Sequence, residues 1–253
     1  RQKRTLEAVQ ENKTIVEPFV ESELKQCSKP LHFLAIAGAT EALPRFDAQR
    51  PWRFVPYGWA AHTVHADGRV ETASFVHVER TDPRPGFATS LQKHLEVGGT
   101  IVCWNDEVLD ELRGLLEDLP NHKAAARAVV SQSHIDLMQL LEEGLFHPQL
   151  RSYTDLRQSV AVLLGDKSGD ELAVFGEEAL VGALAKAQAP RVRSTTRDKI
   201  AADVLAGLTW TCERLRRLYE TYGGMAAPPP KPKPPTVARA AKPLPKPLPK
   251  PAE

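Results

Sequence analysis

The chain has 253 residues, 42% hydrophobic and 26% charged, with a formal net charge of +1, which suits one large α/β domain or two small ones. The charge is unevenly placed: residues 226–253 carry Lys231, Lys233, Arg239, Lys242, Lys246 and Lys250 against Glu253 alone, a local +5 that leaves residues 1–225 at −4. This argues against a strongly basic nucleic-acid-binding body, and Cys27, Cys103 and Cys212 are too isolated for structural zinc or a disulfide framework.

Taken in chain order, the polar stretch from Arg1 to about Gln26 places Ile15, Val16, Phe19, Val20 and Leu24 at helical spacing, so residues 1–30 read as a lead-in helix stopped by Lys29-Pro30. Leu31 to Ala37 is an apolar run ending at Gly38 and reads as a buried strand. Residues 40–53 read as a loop punctuated by Pro44, Asp47 and Pro51. Two strands follow, near 54–64 and 70–79, joined by a turn at Asp67-Gly68. The spacing over 87–97 predicts a helix ending at Gly98-Gly99, and Thr100 to Trp104 predicts a short strand. Asp106 is placed to cap a helix from Glu107 to about Leu116. A helix near 121–130, a strand end at 133–137 and helices near 152–164, 176–188 and 195–222 complete the body, which is set at residues 31–224. From residue 225 the text is low-complexity: eleven of the 21 prolines lie after Ala226, interleaved with lysine. That composition cannot build a packed core and predicts a disordered tail. The mixed order of elements predicts an antiparallel portion joined to a parallel α/β portion.

Few residues offer chemistry at a useful spacing. The eight histidines show no metal-ligand pattern, and no nucleotide-binding or nucleophile-elbow motif is present. A nucleophile pair built on Ser133-His134, or on Cys212 with a distant histidine, has no support from spacing. Arg191, Arg193, Arg197, Arg214, Arg216 and Arg217 form the most basic folded region. Arg214 and Arg217 share one helix face at i, i+3 and are the candidate phosphate contacts; the bland account pairs this face with Glu213 and Glu220.

Leu31-His32-Phe33-Leu34-Ala35-Ile36-Ala37-Gly38, then Leu43-Pro44-Arg45-Phe46-Asp47 and Arg50-Pro51-Trp52, resemble the bacterial domain of unknown function 2779 family. That family is grouped with the DnaQ-like exonucleases of ribonuclease H fold that carry a four-acid site. The likeness continues through Pro56, Trp59, His62 and Asp82-Pro83-Arg84, through Gly99 to Asn105, and through Ile135-Asp136-Leu137, Phe146-His147-Pro148 and Ser152-Tyr153 to the helix around Thr211. The resemblance implies a ribonuclease H-like mixed five-stranded sheet flanked by helices, and often a RecB-like nuclease domain on the N-terminal side. It also implies a site in which paired carboxylates on the first strand, a third acid after the second parallel strand and a fourth on the last helix hold two divalent metals.

Here the four expected acid positions fall on Ala35, Ala37, Leu109 and Thr211. The spacing of the first pair survives, because alternate residues share a strand face, while the oxygen ligands are gone. Asp106 and Asp136 are the nearby acids that could substitute, although each has a plain role as a helix cap. The expectation is therefore a catalytically inactive exonuclease-like module without a metal cofactor. It would bind or scaffold, with a nuclease domain or protein, or nucleic acid, as the expected partner. An active 3′→5′ exonuclease with a rebuilt Mg²⁺ or Mn²⁺ site is the first alternative, and a protein-interaction module using its Pro-rich tail is the second. No membrane span or signal peptide is visible, so the expected compartment is the cytoplasm, and the opening Arg1 suggests a piece of a longer protein.

Overall fold

In the computed structural model, residues 1–119, 123–130 and 132–223 are described; the expectations for the Pro/Lys segment lie outside these residues. The lead-in region forms two helices rather than one, α1 (Gln2–Gln10) and α2 (Pro18–Lys25), with strand β1 (Ile15–Val16) between them. Pro18 explains the second start, since its fixed φ is already helical and its missing N–H costs nothing in the first turn. β1 pairs antiparallel with β7 (Leu145–Phe146), a contact across most of the chain that no local pattern announces.

The main sheet has five strands in the order β4-β3-β2-β5-β6. Strands β2 (Leu31–Glu41), β3 (Arg53–Val64) and β4 (Val70–Val76) are antiparallel neighbours. On the other side of β2, β5 (Thr100–Cys103) and β6 (Ser133–Asp136) run parallel to it. This is the mixed arrangement expected from the order of elements. The strand β2 does not stop at Gly38. Its register shifts between Ala37 and Gly38 and pairing then continues to Glu41, a bulge of the kind that re-aims a strand near a rim. At Gly38 a Cβ would come within 2.1 Å of the Phe54 ring, so a larger residue at the bulge would have to displace that ring.

Alternation along β2 divides the core. Leu31, Phe33 and Ala35 face one side of the sheet, where α6 (Leu137–Gly144), α7 (Leu156–Leu163), α8 (Glu177–Ala187) and the long α9 (Ser194–Tyr222) pack. Leu34 faces the other side, where α3 (Arg84–Leu95), α4 (Glu107–Asp118) and α5 (Lys123–Val130) bury Phe87, Leu91, Leu109, Leu112 and Val129. Each such aromatic or aliphatic side chain removed from water contributes roughly 1.5–3 kcal/mol, so a slip of one residue in β2 would exchange the two faces and is strongly disfavoured. The small pair Ala35 and Ala60, opposite each other on β2 and β3, lets α9 lie close enough for the Cys212 thiol to meet the Ala60 carbonyl at 3.1 Å.

One polar chain crosses the α3 side of the sheet. His32 is fully buried and its Nε2 lies 2.8 Å from the Gly98 carbonyl, which only accepts. His32 Nδ1 must then accept from the Thr63 hydroxyl at 3.0 Å, and His94 Nε2, also 3.0 Å from that hydroxyl, must donate to it. This arrangement satisfies every one of these atoms with both rings neutral. Burial favours the neutral rings, lowering the His32 pKa below its ordinary value and that of His94 to about 4. Among the described residues, no helix is long and apolar enough to cross a membrane.

Candidate functional site

Where β2 runs on past the C-terminal end of its parallel neighbour β5, Ala35, Ala37 and Gly38 on one side and Trp104 and Asn105 on the other open a cleft of about 510 Å³. The crevice beyond the carboxyl ends of parallel strands is where ligands of open α/β sheets ordinarily sit. The opposite wall is α9, through Val204, Gly207, Leu208 and Thr211. The first turns of α7 and α8 close the ends, with Val174 and Phe175 between them. Gly207 permits this wall: a Cβ there would lie 2.5 Å from the Val174 carbonyl oxygen.

Three of the four expected acid positions meet in this cleft. Ala35 and Ala37 stand on it from β2, and Thr211 faces it from α9 with its hydroxyl donating to the Gly207 carbonyl at 3.0 Å. Leu109 does not join them. It is fully buried among Leu112, Phe87 and their neighbours on the other face of the sheet, and it is Val108, one residue earlier on α4, that lines the cleft. The likeness by spacing is thus one residue out of step there, because the helical turn carries Leu109 to the opposite side.

The two candidate substitute acids lie elsewhere. Asp106 and Asp136 border a second hollow of about 400 Å³, with Glu23, His134, Gln139 and Glu143. Asp136 caps α6 as expected, one carboxylate oxygen accepting from the Gln139 amide at 2.7 Å and the other from the Asp106 amide at 3.3 Å. Burial pushes its pKa above the usual carboxylate value. Asp106 precedes α4, but the side chain that accepts an amide there is that of Asn105, from Glu107 at 2.7 Å. The Asp106 carboxylate instead meets His134 Nε2 at 3.3 Å. Among the described residues, no group of three histidine, cysteine, aspartate or glutamate side chains is placed to hold a metal ion.

The arginine pair converges on an acid the sequence reading did not single out. Asp166 accepts from Arg214 Nε at 3.0 Å and from Arg217 at 2.8 Å, and also from the Ser168 hydroxyl at 2.7 Å. The Ser168 hydrogen bonds and the Arg214 charge hold its pKa down at about 2. Arg214 also pairs with Glu213 and lies over the Trp210 ring, while Arg216 takes Glu220. As for the nucleophile pairs, burial pushes the Cys212 thiol up to about 12, so it stays protonated. Ser133 bonds Thr100 and the Gly99 carbonyl rather than His134.

The cleft's own charged residues were also missed. Asp155 caps α7, accepting from the amides of Arg157 and Gln158 at 2.8 and 3.3 Å. Glu177, in the first turn of α8, accepts from the Thr40 amide at 2.6 Å. Arg157 lies with its guanidinium 4.8 Å from the centre of the Phe175 ring. The cap was available from Asp155 standing ahead of an apolar run; nothing local could have placed Arg157 or Glu177 beside the sheet.

The segment that carries β2, its loop, β5 and β6 is the one that comparison picks out. Residues 32–154 match the model of the family described as Domain of unknown function (DUF2779). Neither the curated proteins nor the solved structures yield a match. The DUF2779 match takes in Ala35, Ala37, Asp106, Leu109 and Asp136, and stops before Thr211 and the α8 and α9 walls. It also takes in Leu43–Asp47 and Arg50–Trp52, which form a braced loop. The Gln49 amide oxygen accepts from the Arg45 and Phe46 amides, the buried Arg84 donates to the Asp47 carbonyl, and the Trp52 amide donates to Glu41. This bracing leaves Leu43 and Trp52 exposed.

Proposed function

We propose that the chain is a ribonuclease H-like relative of the DnaQ-type exonucleases whose acidic site has been emptied, and that it serves as a catalytically silent binding module alongside a nuclease. The observation that carries this reading is the company kept by Ala35 and Ala37. They stand on adjacent same-face positions of the central strand, at the floor of the cleft where paired carboxylates are expected, with Thr211 opposite. Methyl groups give a divalent cation no oxygen to bind. The cleft's two carboxylates, Asp155 and Glu177, already accept backbone amides and fall short of the three or more acids that a rebuilt two-metal site needs. The mixed five-stranded sheet with helices on both faces and the DUF2779 match support the same descent.

The test is direct. The purified chain should leave single-stranded DNA and RNA intact in the presence of Mg²⁺ or Mn²⁺. Degradation that disappears on substituting Asp155, Glu177, Asp106 or Asp136 by its amide would overturn the reading in favour of an active exonuclease with a rebuilt site.

A further inference from the structure

The cleft's lining contains an imbalance of hydrogen-bonding groups that points to a ligand. Most of its polar side chains are occupied locally: Thr211 by the Gly207 carbonyl, Thr154 by the Ser152 hydroxyl, Asn105 by Glu107, Asp155 by the α7 amides and Glu177 by the Thr40 amide. Two groups have no hydrogen bond or ion pair among the described residues, and both are donors. One is the Arg157 guanidinium, which lies over the Phe175 ring at 4.8 Å from its centre. The other, the indole N–H of Trp104, is closed off from solvent, so Arg157 alone is left to meet a ligand in the cleft. An arginine set over an aromatic ring presents a fork of donors matched to a planar anion.

The rest of the cleft sets the ligand's body. Ala35, Ala37, Val174, Phe175, Leu180 and Leu208 make it predominantly apolar, and about 510 Å³ is ample for a two-ring or medium-chain molecule. The Asp155 and Glu177 carboxylates also face this space. Both sit in or at the first turns of α7 and α8, whose N-terminal partial positive charges offset them. We infer that the cleft binds a small organic anion with an apolar body and one carboxylate, the carboxylate taken by Arg157 and the body lying on Phe175 and the alanine floor. This rests on reading the cleft as a binding site rather than a metal centre.

Titration of the full chain in EDTA tests it, with 2-naphthoate as the probe and 2-naphthalenemethanol as its neutral isostere. Naphthoate is expected to bind and to raise the melting temperature, with the alcohol at least about tenfold weaker, as the loss of a charge-assisted hydrogen bond implies. Arg157→Gln should remove that preference and Arg157→Lys should keep part of it. Ala37→Leu, which fills the floor, should weaken both ligands, and Arg151→Gln, outside the cleft, should change neither. Equal binding of acid and alcohol by the wild-type chain overturns the inference even if every variant fails to fold. So does naphthoate binding that survives Arg157→Gln, or a cleft that takes thymidine 5′-monophosphate and ignores naphthoate. A nuclease activity in Mg²⁺ would instead defeat the silent-site reading, and the EDTA titration is scored separately from it.

Discussion

Two hollows among the described residues differ in what they offer a ligand. The cleft where β2 runs on past the end of β5 is floored by alanines and walled by Val204, Leu208 and Phe175. The second hollow is bordered by Glu23, Asp106, Asp136 and Glu143, yet Asp136 caps α6, Asp106 meets His134 and Glu143 accepts from the Gln139 side chain. Acid count alone is therefore a poor guide to metal chemistry. What decides is whether several carboxylate oxygens aim at one point with lone pairs to spare. The first hollow has the place without the ligands, and the second has ligands without the geometry.

The largest test of that contrast restores the missing pair. In Ala35→Asp/Ala37→Glu, two like charges enter a floor where Ala35 is only 7% exposed and packs against Leu208 and Cys212. An uncompensated buried charge costs about 3–5 kcal/mol, so the melting temperature should fall by about 10 °C. Millimolar Mg²⁺ should recover part of the loss in the double variant and shift the wild-type chain not at all, since a ligand stabilises only the state that binds it. A wild-type shift with Mg²⁺, or a double variant as stable as its parent, would erase the difference between the hollows.

Next in size is a test of where acid sensitivity lies. Neither hollow contains His32 and His94, which burial biases toward the neutral form and which are linked through Thr63. Their folded pKa values are lowered, so the unfolded chain binds more protons as pH drops. Stability should be complete above about pH 6.5, decline toward pH 4 and then level. Thermal melts across this range should show the decline, and His94→Gln should flatten it. Thr63→Val strands one nitrogen of each ring and should cost about 1–3 kcal/mol at neutral pH. A decline that persists in His94→Gln but vanishes in His62→Gln or His147→Gln, whose pKa values burial also lowers, would place the sensitivity away from the Thr63 chain.

How far the sequence carried the argument depends on the range of the interaction involved. Strands β2 and β5 were legible because apolar runs bounded by Pro30, Gly98 and Gly99 are local signals, and so was the Asp67-Gly68 turn, where Gly68 adopts φ 84°. Two same-face alanines on β2 are a matter of strand period, and they do line the cleft. The α1–α2 break was overlooked because its cause is partly distant, the pairing of β1 with β7. Leu109 falls on the far face of the sheet, which spacing along a helix reveals only once the helix's rotation against the sheet is known. The arginine row shows the same limit: Arg214 and Arg217 stand out in the text, but their partner Asp166 lies almost fifty residues earlier. Arg157, which has no such partner, looks ordinary in the sequence.

The smallest effects separate the two acids of the second hollow. Asp136 accepts two amides, one of them the Gln139 N–H that opens α6. Asp136→Ala forfeits that cap and should cost about 1 kcal/mol, a drop of about 2–4 °C in melting temperature. Asp136→Asn keeps an acceptor oxygen at the same place and should recover most of it. The Asp106 carboxylate meets His134 across a contact in which both side chains are about one-third exposed. Solvent screens such a pair, and with the charge's position at the start of α4 its removal in Asp106→Ala should cost a few tenths of a kcal/mol. Melts with and without Mg²⁺ should rank the variants in this order and show no dependence on the cation. If Asp106→Ala cost as much as Asp136→Ala, and the double variant no more than either, the two carboxylates would be acting as one unit. The acidic hollow would then have the converging geometry it lacks on the present account, and the contrast with the alanine-floored cleft would fail from its other side.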